Sequence, residues 1–321
     1  MFRKTLILLP LIAITLLFGS WGFFAHRKIN HLAVFTLPQP MVRFYKNNIS
    51  YVTEHASDPD KRRYIDPAEA PRHYLDSDHY GISPFDSLPE RWNDAVKKYT
   101  LDTLKEHGLL PWQIQRTYGS LTKAFKDRDS VKILKYSSDL GHYIADAHVP
   151  LHTTQNHNGQ LTNQVGIHAF WESRLPELFS GDYDFFTGRA VYIEDPLKEA
   201  WKIIKHTFSL KDSVLLVEAR LVKNFPSDRK YSYFNRNGKA LKQYSEEYAE
   251  EYHKLLDGMV EHQMRNSILS IGSYWYSAWI DAGQPELSRF KLSTSAIIEK
   301  DSLEKAEALY KENEAMGRPE Y

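Results

Sequence analysis

The chain has 321 residues, with 41 Lys and Arg against 41 Asp and Glu, 14 His and no Cys, and it is 42% hydrophobic. That composition is globular and excludes a disordered chain, a collagenous repeat and a disulfide scaffold. A formal net charge of zero also excludes a broad basic field that would hold nucleic acid or an anionic membrane by counterion release. Any phosphate-seeking site must therefore bring its positive charge locally.

Taken in chain order, Met1-Phe2-Arg3-Lys4, an apolar run from Thr5 to Phe18 and the small pair Gly19-Ser20 have the layout of a signal peptide over residues 1–20. The expected mature chain starts near Trp21 and is exported, to a periplasm, a cell surface or the medium. The uncharged stretch from Thr5 to Ala25 also has the length of a membrane-spanning helix, so an uncleaved membrane anchor is the alternative. With no Cys, stability must rest on the core or on bound metal. Apolar residues then recur at spacings of three and four, which predicts helices over Glu90 to Glu106, Pro111 to Lys126, Ser130 to Ala147, Leu197 to Phe208, Asp212 to Asn224 and Ser245 to Ala282. Few runs alternate as strands do, so the fold class is all-α. Gly108, Pro150 and Gly283 punctuate the helices. Ala56 to Pro89 and His148 to Gly166, rich in Pro, Asp and Gly, read as long loops of the kind that carry function. From residue 286 to 321 the chain turns charged, and Glu299 to Glu314 is a polar helix candidate in a solvated extension.

The chemistry concentrates in Gly141-His142-Tyr143-Ile144-Ala145-Asp146-Ala147-His148-Val149-Pro150-Leu151-His152. His142 and Asp146, four apart in a helix, project from one face and can grip one ion. Pro150 breaks that helix and extends the residue before it, so His152 returns toward the same point from the loop. Further on, His168 and Glu172 form a second pair at the same spacing, after a polar, turn-rich loop. One such pair alone is an ordinary helix-surface contact. Two pairs with His152 point to a metal site, and with thiolate absent the ligands left are those zinc accepts: imidazole, carboxylate and water. No Ser nucleophile elbow, Gly-rich phosphate loop or CxxC pair competes.

The stretch His142-Tyr143-x-x-Asp146-x-x-x-Pro150-x-His152, with His168-x-x-x-Glu172, resembles the signature of the zinc-dependent phospholipases C and the related trinuclear zinc nucleases that prefer single strands. Upstream, Trp21 and His26 stand five apart as in the nucleases, and Asp58 and His73 match the family's Asp and His before the signature. The resemblance implies a single multi-helix domain over residues 21–285 around a trinuclear zinc site. One zinc would use Asp58, His73, His142 and Asp146; a second the Trp21 amine and carbonyl with His26 and a shared Asp146; a third His152, His168 and Glu172. Asp58 and Asp146 would serve in catalysis. Glu172 is the choice of the phospholipases and the Trp21 to His26 spacing that of the nucleases, so the chain straddles the two branches.

The implied activity is hydrolysis of phosphodiesters, in phospholipid or in single-stranded nucleic acid, by zinc-bound hydroxide attacking phosphorus, with no obligate protein partner. Zinc lowers the pKa of bound water toward ~7, and paired ions ~3.5 to 4 Å apart clamp the attacking and leaving oxygens. Divalent ions against three carboxylates also account for phosphate attraction by a neutral chain. The rival reading is a zinc-stabilised, non-catalytic surface binding protein held by an uncleaved N-terminal helix. His31, His79, His148 and His157 read as solvent-exposed or hydrogen-bonded loop histidines, with contact to a metal ligand or to substrate as the alternative, and Tyr74, Tyr143, Phe170 and Trp171 as core or as platforms for a base or an acyl chain.

Overall fold

A computed structural model describes residues 23–236 and 239–289. Trp21 and the leader lie outside the described residues, as does the tail from residue 290 with its polar helix candidate. The described chain is mostly helical, as the periodicity predicts. Four helices open it: α1 (Phe23–Ala33), α2 (Gln39–Asn47), α3 (Ile49–Glu54) and the short α4 (Asp58–Arg62). They are followed by α5 (Pro84–Ser87), α6 (Trp92–Tyr99), α7 (Leu101–His107), α8 (Leu110–Lys126) and α9 (Ser130–Ala147). A helical run then passes from α10 (Ile167–Ala169) through a wide π-helical stretch (Phe170–Arg174) into α11 (Leu175–Phe179). The long α12 (Pro196–Asn224), a hairpin of β1 (Tyr231–Arg236) and β2 (Lys239–Tyr244), α13 (Glu246–Leu255) and α14 (Met259–Asp281) complete it.

The departures from the predicted elements have local causes. The predicted break near Ser209 is absent because no Gly or Pro interrupts Leu197 to Asn224, and α12 runs through. The run from 245 to 282 is cut where Gly258 takes a left-handed φ of 75° between α13 and α14. Thr100, at φ 67°, divides α6 from α7 and caps the latter by accepting the amide of Thr103. The antiparallel hairpin, with Tyr231 opposite Tyr244, flanks the sequence Asn237-Gly238, a dipeptide that favours hairpin turns. Leu287, past the expected end of the folded region at residue 285, is buried in the core.

The buried side chains form one contiguous core. Asp129 and Asp195 cap α9 and α12 by accepting the amides of Lys132 and Lys198. Tyr45 of α2 stacks on Trp275 of α14 at 4.9 Å, and the indole donates to the Ser137 carbonyl of α9 at 3.0 Å. No helix among the described residues is long and apolar enough to cross a membrane.

What matters for the site is how closely α1 sits against α9. A Cβ at Gly141 would collide with the side-chain amide of Asn30, which is buried and donates to the carbonyls of Val52 and Ser138. Only glycine lets α1 approach here, and the approach stacks the rings of His26 and His142 at 4.1 Å. In a helix interior Gly→Ala ordinarily stabilises by ~0.5–1 kcal/mol. Gly141→Ala is expected to do the reverse, lowering the urea midpoint by the equivalent of about 1–3 kcal/mol, the usual cost of overpacking. A stabilised variant would show that α1 and α9 are not in close contact at this point.

Candidate metal centre

Six separate stretches of chain deliver side chains to one buried region: α1, α4, the segment at His73, α9, the turn Pro150–Thr153, and the run containing His168 and Glu172. On α9, His142 Nε2 lies 3.3 Å from Asp146 Oδ2, the predicted one-turn pairing. His73 Nδ1 reaches the same oxygen at 3.0 Å and stands 3.0 Å from His142 Nε2. The other oxygen of Asp146, Oδ1, faces His26 Nε2 at 3.5 Å. Pro150 turns the chain as expected, and His152 Nε2 meets His168 Nε2 at 3.0 Å and Glu172 Oε2 at 3.3 Å. His168 Nε2 is 2.7 Å from that same Glu172 oxygen, while Glu172 Oε1 lies 3.2 Å from His26. Asp146 and Glu172 each offer one oxygen to His26 and the other to a different pair of histidines, so the groups form a continuous row.

Asp58 does not join this row. It accepts from His55 at 2.5 Å and from Lys61 at 3.2 Å. The carboxylate that reaches the centre from α4 is Asp60, whose Oδ1 lies 3.5 Å from both His73 Nδ1 and His142 Nε2. Residues two apart on a helix point to nearly opposite sides, so only one of the two aspartates can face α9. The sequence Ser57-Asp58-Pro59-Asp60 does not reveal which.

Three mostly buried groups result, each with donor atoms within 4.8 Å of one another and each able to hold a metal ion: His26, His142 and Asp146; Asp60, His73 and His142; His152, His168 and Glu172. Backbone carbonyls can only accept, so the contacts of His142 Nδ1 with the Ala56 carbonyl (2.9 Å) and of His152 Nδ1 with the His73 carbonyl (2.6 Å) place a proton on each Nδ1. In the neutral rings both Nε2 lone pairs then face the centre, the orientation a metal requires. Asp146 Oδ1 and His168 Nδ1 are buried without a hydrogen-bond partner among the described residues. Nitrogen and oxygen donors converging this closely need a cation between them, and the set of imidazole and carboxylate with no thiolate suits zinc.

Without metal, protons fill that role. Burial alone would raise the carboxyl groups of Asp146 and Glu172, but the facing histidines outweigh it and hold both well below the usual carboxylate range; the same holds for Asp60. Burial would likewise lower His142 and His73, yet the carboxylates beside them win and raise both. Behind His73 stands Glu69, fully buried, 3.5 Å from His73 Nε2 and bonded by Arg62, Arg72 and the Tyr143 hydroxyl.

Of the other histidines, His148 is buried and pushed down to about 4 by desolvation, and its Nδ1 donates to the Ile144 carbonyl. His157 has its ring 6.3 Å from that of His168. His31 lies beside Thr53, and His79 stacks on His107. Phe170 and Trp171 are core, as is Tyr143. Phe170 stacks on Tyr244 of the hairpin at 3.9 Å, which braces the run that carries His168 and Glu172. Tyr74 lines a small cavity with His73, His152, His157 and His168, and the buried Arg63 joins that wall. Arg63 carried no sequence signal, being one of several basic residues in Lys61-Arg62-Arg63.

No protein-family model matches the chain, and a search of the curated proteins finds no match.

Proposed function

We propose that this chain is a zinc-dependent hydrolase of phosphodiesters, kin to the zinc-dependent phospholipases C and trinuclear zinc nucleases, with one zinc in each of the three donor groups. The observation that carries the reading is the convergence of eight histidine, aspartate and glutamate side chains from six stretches of chain into one continuous row. Bound divalent ions supply Lewis acidity and acidify water at neutral pH, which is the chemistry phosphodiester hydrolysis needs. The chain's own part is to hold that chemistry in place. Asp146 and Glu172 set the spacing of the groups, since each addresses two of them. The Nδ1 contacts of His142 and His152 lock their rings with Nε2 inward.

Arg63, permanently charged on the cavity wall beside His73, His152 and His168, is the residue we assign to a phosphoryl oxygen of the substrate. Asp60 takes the ligand role first given to Asp58. In this reading residues 1–20 are removed on export, and the amine and carbonyl of Trp21 complete the group of His26 and Asp146.

Metal analysis of the purified mature protein should return about three zinc ions per chain, in line with the three groups. Hydrolysis should stop on chelation and return with zinc. Phosphatidylcholine, single-stranded nucleic acid and a small chromogenic phosphodiester, assayed side by side, separate the two substrate classes. Tightly held zinc with turnover of none of the three would overturn the hydrolase and leave the metal-stabilised binding protein in its place.

A further inference from the structure

His73 is turned the opposite way from the two histidines whose rings the backbone fixes. His142 and His152 give Nδ1 to a carbonyl and present Nε2 to the centre. His73 instead presents Nδ1, 3.0 Å from Asp146 Oδ2 and 3.0 Å from His142 Nε2. Its other nitrogen, Nε2, is buried and makes no hydrogen bond among the described residues. The group that stands beside it is Glu69, four residues earlier, with Oε1 at the ion-pair distance of 3.5 Å.

Glutamate is almost never fully buried unless it is paired, and Glu69 is paired on every side. Its Oε2 accepts from Arg72 at 2.5 Å and from Arg62 at 3.3 Å, and its Oε1 accepts from the Tyr143 hydroxyl. Each guanidinium also has a carboxylate of its own, Asp139 at 3.0 Å for Arg62 and Asp66 at 3.7 Å for Arg72. Neutralising those arginines is therefore not all that Glu69 does. Set between two guanidiniums its carboxyl is ionised, and an ionised carboxylate can only accept. Oε1 has capacity beyond the Tyr143 bond, so a neutral His73 ring carries its proton on Nε2 and turns the Nδ1 lone pair to the centre. Tyr143 and Asp139 also fasten Glu69 and its partner Arg62 to α9, the helix that carries His142 and Asp146.

We propose that Glu69 is a positioning residue of the metal centre, holding His73 in the tautomer and orientation that offer Nδ1 to the ion shared with Asp60 and His142. The proposal rests on the metal reading of that group and adds to it a residue that touches no ion. A carboxylate behind a ligating imidazole raises its basicity, and losing such a partner typically costs about 10–100-fold in metal affinity.

The test is zinc affinity of the purified mature protein, measured by competition with a chromophoric chelator. Glu69→Gln keeps the volume and an acceptor oxygen but removes the charge, and it should weaken one zinc about tenfold; Glu69→Ala removes the acceptor as well and should weaken it about a hundredfold. Tyr143→Phe keeps the Glu69–His73 pair and should stay within a few fold. In the cobalt-substituted protein, Glu69→Gln should shift the visible absorption of a single ion. A purely structural role would instead lower the melting temperature and leave affinity and cobalt spectrum unchanged. That outcome, in variants with native circular dichroism and a parent that binds three zinc ions, overturns the proposal alone. A parent that binds no zinc brings down the metal reading itself. Crystals of the unaltered protein loaded with zinc give an answer that does not depend on how the variants fold. Nδ1 of His73 on the metal with Nε2 within about 3.2 Å of Glu69 is the expected result, and zinc on Nε2 would overturn it.

Discussion

An Asp146→Asn variant is expected to lose at least one metal ion per chain and to hydrolyse a chromogenic phosphodiester about a thousandfold more slowly. Asparagine keeps the size and shape of the side chain, so packing in α9 is preserved and the loss is chemical. Asp146 is the carboxylate with the most to lose. Its Oδ2 serves His73 and His142 at 3.0 and 3.3 Å, its Oδ1 faces His26 at 3.5 Å, and both are buried. Replacing one oxygen by an amide nitrogen turns a donor toward a lone pair that a cation was meant to fill. Metal-borne charge stabilisation is worth several kcal/mol in the transition state, and each ~1.4 kcal/mol is a factor of ten in rate, which sets the expected thousandfold. Asp58→Asn is the matched control, because Asp58 is bonded to His55 and Lys61; its turnover should stay within a few fold. Metal content by mass spectrometry and turnover under the same conditions read both variants. Full metal content and full rate in Asp146→Asn would show that this residue is not a shared ligand.

The contrast between these two aspartates shows where sequence reading works. His142 with Asp146, and His168 with Glu172, were legible because helix geometry makes a spacing of four a contact, and Pro150 made the return of His152 a matter of chain direction. In each case the information is local. The choice between Asp58 and Asp60 is not, since it depends on which side of a five-residue helix meets α9. Gly141 is a stronger case: in the sequence it looks like a weak point in a helix, and its purpose appears only when Asn30, more than a hundred residues away, fills the space where its side chain would be. The hairpin is hidden in the sequence for another reason. Its strands hold charged and aromatic residues without clean alternation, and their role is to brace Phe170 through Tyr244. Helix placement, by contrast, follows from periodicity where the apolar repeat is strong and unbroken, which is why α8 and α9 lie nearly where the repeat predicts them.

Removing metal is expected to lower the melting temperature by about 10 °C, and the gap should widen as the pH rises. A ligand at a thousandfold excess over its dissociation constant adds ~4 kcal/mol, and each kcal/mol moves the midpoint by ~2–4 °C in a protein of this size. The pH dependence follows from the groups at the centre. In the metal-free protein His73 and His142 have raised pKa values, so their contribution is complete below the unfolded value of ~6.5 and is lost as the pH climbs through the folded values. Asp60, Asp146 and Glu172 have depressed values, so theirs is present above ~4 and is lost as the pH falls through the folded values. The metal-free chain is therefore best held between about pH 4 and 6.5 and weakens above that window as the imidazoles lose their protons and the facing lone pairs are left bare. Metal needs those same nitrogens deprotonated, so its contribution grows over the range in which the protons' contribution fades. Melts at about pH 6 and 8, with zinc and with chelator, measure both trends. A gap of equal size at the two pH values would mean that protons and metal do not compete for His73 and His142, and the donor groups would then need a different occupant.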